Sequence, residues 1–139
     1  MKKNFKLMFI FIMMLAVAAT FTGCGEQKEE TVSPQEAVGN FVEQNKTSVS
    51  ETDTDGEFKV ELAAEGLNVV YKYTYNEQVD AQQKKLELEN NFKELDESMQ
   101  KLMTKMKEEC PEAENIVFKY YNKDNSEIYV KSYKIEQSK

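Results

Sequence analysis

Histidine and arginine are both missing from this chain, and cysteine occurs only twice. Without histidine, a serine or cysteine nucleophile lacks its usual adjacent base. Without histidine, and with so few thiols, the ordinary zinc ligand sets cannot be assembled. The missing arginines remove the bidentate clamp that grips phosphates. Positive charge is scarce too: 18 lysines face 25 acids, for a net charge of −7. A nucleic-acid binder displaces counterions with a basic face, so that partner class is excluded. Only two prolines occur, Pro34 and Pro111, and both fall where a helix is expected to begin or end.

Long apolar runs are also lacking, with one exception at the start. Lys2, Lys3 and Lys6 precede an apolar run over 7–22. At about 1.5 Å per residue that run reaches roughly 24 Å, short of a ~30 Å hydrocarbon core. A charged start, a short apolar region and small residues before a processing point are the layout of a secretory signal. The end of the run, Phe21-Thr22-Gly23-Cys24, resembles a bacterial lipobox, with Phe21 where leucine is usual. The resemblance implies cleavage before Cys24 and a diacylglyceryl group on its sulfur, which would moor the mature chain at the cell membrane, facing the extracytoplasmic side. Two acyl chains hold stably where one holds weakly.

The chain then divides into a signal peptide at 1–23, a lipid-anchored tether at 24–56 with a short helix near 34–45, and an α+β domain at 57–139. Loss of 1–23 removes three lysines and no acid, taking the net charge from −7 to −10. Such charge keeps a surface protein soluble and away from anionic lipid. Cys110 would remain as the one thiol, leaving no intrachain disulfide.

In the stretch SPQEAVGNFVEQN, Ser33, Pro34 and Glu36 form a capping box with proline at the first helical position. Val38, Phe41 and Val42 make a small apolar stripe. The segment KTSVSETDTDG then reads as a flexible polar connection. Two-residue alternation in EFKVELAAEGLNVVYKYTY predicts a hairpin. A Glu65-Gly66 loop would pair Leu62 with Val69, Val60 with Tyr71 and Phe58 with Tyr73. Asp80 with Gln83 opens a helix that runs to about Glu109, where Pro111 stops it. Its stripe of Leu88, Phe92, Leu95, Met99, Leu102, Met106 and Cys110 is continuous. Glu89 with Lys93 and Glu97 with Lys101 are spaced for i,i+4 pairing. A final hairpin turns at Lys123-Asp124-Asn125 and pairs Tyr120 with Ile128 and Phe118 with Val130.

The fold class is therefore α+β: a two-layer domain whose four-stranded, mainly antiparallel sheet of two hairpins packs on one long helix, preceded by a short one. The pattern leaves strand order open. From about residue 57 onward, VVYKYTY, the long acidic helix and KYYNKDNSEIYVKSYK resemble an uncharacterised family of small Gram-positive lipoproteins. That resemblance implies a fold and a location and transfers no functional residues.

Candidate chemistry is sparse, and no catalytic residue, metal site or cofactor is expected. Aligning ETDTDGEFKVEL with a calcium loop puts Leu62 where the bidentate glutamate belongs, so it reads as a solvated loop. Cys110 continues the apolar stripe and reads as an inert buried thiol. Lys105 and Lys107 offset Glu108 and Glu109 at the carboxyl end of the long helix. The expected partner surface is the second face of the sheet, carrying Val70, Val117, Tyr121, Tyr129 and Tyr133, with Ile135 beside them, because tyrosine suits interfaces. These features point to a lipid-anchored, non-enzymatic binding or accessory module for an extracellular protein or envelope partner. The alternative is a small carboxylate-dependent hydrolase acting on envelope carbohydrate.

Overall fold

The structure, a computed structural model, describes residues 32–50 and 56–136. The expected signal at 1–23 and, within the expected tether, residues 24–31 with Cys24 and the acidic residues 51–55 lie outside the described residues. The first helix, α1, spans Pro34–Ser50. Its capping box forms as expected: the Ser33 N–H donates to Glu36 Oε2 at 3.0 Å, and the Glu36 N–H donates to Ser33 Oγ at 3.3 Å. The helix outruns its expected end near 45, because Val49 extends the Val38 and Val42 stripe by two more turns and is buried with them.

Strands β1 (Phe58–Glu65) and β2 (Asn68–Tyr75) form the first hairpin. Its register differs from the expected one by two residues: Phe58 pairs with Tyr75, Val60 with Tyr73 and Leu62 with Tyr71. Gly66 has φ of +62° and Leu67 does not share that conformation, which matches a turn with glycine at its first central position. The loop is therefore Gly66-Leu67. A two-residue shift preserves the side-chain alternation, so Phe58, Val60, Leu62, Val69 and Tyr71 still share the buried face.

The expected single long helix is two helices, α2 (Ala81–Glu94) and α3 (Asp96–Glu109), meeting at Leu95. The Leu95 N–H bonds Phe92 O at 3.3 Å, and its own carbonyl accepts from the Met99 N–H at 2.9 Å. The bend thus costs little hydrogen bonding, and it keeps Leu88, Phe92, Leu95, Met99, Leu102, Met106 and Cys110 all buried along one curved row. Asp80 caps α2, accepting from the Gln83 N–H at 2.9 Å. Asp96 and Glu97 occupy the first turn of α3, where the helix dipole favours acids.

Strands β3 (Asn115–Tyr121) and β4 (Glu127–Lys134) complete the sheet in the order β1-β2-β3-β4. The sheet is mainly antiparallel, as expected, but not purely so: β1–β2 and β3–β4 are antiparallel, whereas β2 and β3 run parallel, Tyr71 beside Phe118 and Tyr73 beside Tyr120. The reason is the connection. Parallel neighbours need a crossover, and α2 with α3 supply it. Across the parallel seam the rings stack, Tyr71 on Phe118 at 5.3 Å and Tyr73 on Tyr120 at 4.7 Å. One core joins all three helices to one face of the sheet.

The last hairpin departs most. Asn125 takes the expected left-handed conformation, φ 64°. Tyr121, however, pairs with Glu127, and Tyr120 pairs with Tyr129, so Ile128 is an extra residue, a β-bulge. A one-residue slip reverses every later side chain. Phe118 therefore meets Lys131 and Ile116 meets Tyr133, in place of the expected partners.

The turn is locked by Asn122, 2% exposed. Its Oδ1 accepts from the Val79 N–H at 2.9 Å, and its Nδ2 donates to Val79 O at 2.8 Å. That side chain completes the backbone bonding of the segment entering α2 and ties it to the β3–β4 turn. Asn122→Ala strands two partly buried backbone groups, so it should lower stability by about 2 to 4 kcal/mol. A shift of the urea unfolding midpoint to lower concentration, with unchanged slope, is the expected reading.

Candidate functional site

The expected partner surface does not assemble. Val70 and Val117 lie on the face away from the helices and are buried, at 0% and 8% exposure. Lys72 and Lys119, each two residues along its strand on the same face, both reach Glu65, at 3.3 Å and 2.7 Å. The Asn115 Nδ2 donates to Asn68 Oδ1 at 2.8 Å and closes one end. The hydrogen bond from Lys119 holds the Glu65 carboxyl below its ordinary range. Tyr121 is half-buried on this face.

Tyr129 and Tyr133 stand on the opposite face. Their rings meet Phe92 at 5.8 Å and 6.2 Å. Ile135 is buried in the core as well. The bulge at Ile128 is the physical reason, because it turns this half of β4 over. Five residues expected on one surface are thus divided between two faces.

The slip builds something else. Between α2 and β4 lies a groove of about 320 Å³ lined by Glu89, Phe92, Lys93, Asp96, Tyr129 and Lys131. Burial, and secondarily the charge of Glu89, raises the Tyr129 hydroxyl pKa. Burial, Asp96 and Tyr129 push that of Tyr133 up to about 12. The Tyr133 hydroxyl is buried without a hydrogen-bond partner, as is that of Tyr120. The Lys131 ammonium stands 5.3 Å from the centre of the Tyr133 ring. Sequence reasoning placed Phe92 in the core and Glu89 with Lys93 in an outward pair, and so missed the groove. The alternation of Tyr129, Lys131, Tyr133 and Ile135 was the signal that could have found it.

A larger hollow of about 610 Å³ lies where α1 meets the edge of β1, lined by Lys46, Thr47, Asn76 and residues 58–61. Its charges are neutralised locally: Lys59 pairs with Glu61 at 3.0 Å and Lys46 with Glu43 at 3.4 Å.

Cys110 is 2% exposed, and burial first of all pushes its thiol pKa up, away from the reactive thiolate. Desolvation raises the Glu109 carboxyl pKa, although Lys105 lies 3.9 Å away. Among the described residues no group of three or more acids or thiols is placed to hold a metal ion. No described helix is long and apolar enough to cross a membrane.

Fold and site together define a small α+β domain with a mixed four-stranded sheet, helices on one face and an aromatic-floored groove at the α2–β4 seam. The chain belongs to the family described as a domain of unknown function (DUF4854), whose pattern matches residues 29–133. Comparison with curated proteins gives no match, and neither does comparison with solved structures.

The tyrosines supply a pH test. Burial raises the hydroxyl pKa of Tyr71, Tyr73, Tyr75, Tyr120, Tyr129 and Tyr133, to about 12 for Tyr71 and Tyr133. In the unfolded chain these groups ionise near pH ~10. Their contribution is therefore complete below that pH and is lost as pH rises from ~10 through about 12, because the unfolded chain releases protons first. Ultraviolet titration should show most tyrosinate appearing together with loss of circular dichroism. Ionisation of all the tyrosines near pH ~10 with the fold intact would refute their burial.

Proposed function

We propose that this protein is a lipoprotein whose signal at 1–23 is removed and whose Cys24 carries a diacylglyceryl anchor. Its α+β domain then stands on the extracytoplasmic side of the cell membrane as a non-enzymatic binding module for an extracellular or envelope partner. The observation that carries this reading is the order of parts at the amino terminus: three lysines, a short apolar run, Gly23 and Cys24. The family match supports it by starting at residue 29, just beyond that cysteine. From Cys24 to Pro34 the chain spans at most about 35 Å when fully extended, so the domain would work close to the membrane. The absence of histidine favours binding over acyl-transfer chemistry.

Mass spectrometry of the membrane fraction should find a chain beginning at a diacylated Cys24, and Cys24→Ala should abolish that species. Recovery of the unmodified chain with 1–23 still attached, from the soluble fraction, would overturn the reading.

A further inference from the structure

We propose that the groove lined by Glu89, Phe92, Lys93, Asp96, Tyr129 and Lys131 is a carbohydrate site that holds a short neutral glycan. This takes its biological setting from the binding-module reading above, whereas its chemistry rests on the groove alone.

Size sets the first bound. About 320 Å³ lies at the lower end of small-ligand sites, which run from roughly 300 to 1,000 Å³. The groove therefore suits one or two sugar rings and not a folded partner. Its floor is aromatic: Tyr129 is half-buried and is braced by Phe92, with ring centres 5.8 Å apart. A braced tyrosine offers a flat apolar surface with a polar edge, which matches the apolar C–H face and hydroxyl rim of a pyranose.

Charge selects among ligands. Two carboxylates, Glu89 and Asp96, and two ammonium groups, Lys93 and Lys131, border the same small volume. A polyanion would meet the carboxylates and a polycation the lysines. A neutral polyhydroxylated ligand uses both, donating hydroxyl protons to Glu89 and Asp96 and accepting from Lys93 and Lys131. Hydrogen bonds to charged groups are the stronger kind. The α1–β1 hollow is larger but lacks these features, since its lysines are already paired with Glu61 and Glu43.

The test is saturation-transfer NMR on the full chain in detergent, with chitotriose and cellotriose as neutral probes and free alanine as a zwitterionic control. Saturation should pass to at least one trisaccharide and not to alanine. Asp96→Asn and Lys131→Met each remove a charge from the rim without changing the buried floor. Each should weaken binding by roughly tenfold, the worth of one charged hydrogen bond, with the circular dichroism spectrum of the fold unchanged. No transfer to either trisaccharide, transfer unaltered in both variants, or binding of alanine at the same place would overturn the assignment. Cys24 takes no part in this measurement, so its failure would leave the anchoring proposal standing, and the reverse holds equally.

Discussion

Phe92 is the point at which the two layers are held together. Its ring meets Phe118 at 5.5 Å, Tyr120 at 6.1 Å, Tyr129 at 5.8 Å and Tyr133 at 6.2 Å. Two of those rings belong to β3 and two to β4, so one helical side chain spans the second hairpin. Aromatic pairs of this kind contribute about 0.5 to 1.5 kcal/mol each beyond the area they bury. For a domain with a modest core whose one described cysteine is free, that is a sizeable share of a typical ~5 to 15 kcal/mol. The contact exists because of two local irregularities. The break at Leu95 leaves the buried row continuous from α2 into α3, and the bulge at Ile128 brings Tyr129 and Tyr133 to the helix side.

Much of this was legible in the residues. Ser33 with Glu36, and Asp80 with Gln83, announced the starts of α1 and α2. Heptad-like spacing from Leu88 to Cys110 identified the buried row. What the sequence did not reveal were quantities that depend on turn geometry. The Glu65-Gly66 and Gly66-Leu67 loops satisfy the same alternation, and only the φ of Gly66 separates them. In β4 the ambiguity has larger consequences. Ile128 with Val130, and Tyr129 with Tyr133, are both apolar rows at period two, so counting residues across the loop decides which faces inward. A bulge changes that count by one, and single-sequence alternation carries no mark of it. The break at Leu95 was hidden for a similar reason: no glycine or proline signals it, and the apolar spacing continues straight through.

The candidate site is a direct product of that ambiguity. Read one way, the tyrosines of β4 make an outward aromatic face. As folded, they are packed against Phe92, and the exposed edge of their contact becomes a groove bordered by charges of both signs. The outward face instead carries the ion pairs of Glu65 with Lys72 and Lys119, beside the buried Val70 and Val117. Exposed ion pairs of this type contribute little to stability, and the two valines of that face are themselves buried.

The register of β4 is the claim on which both the core and the groove depend, and through-space NMR tests it most directly. With Phe92 and the tyrosines isotope-labelled, cross-peaks are predicted from the Phe92 ring to the rings of Tyr129 and Tyr133. Cross-peaks from Phe92 to Val130 and Ser132 instead, with Tyr129 and Tyr133 silent, would show the unslipped strand and contradict the account.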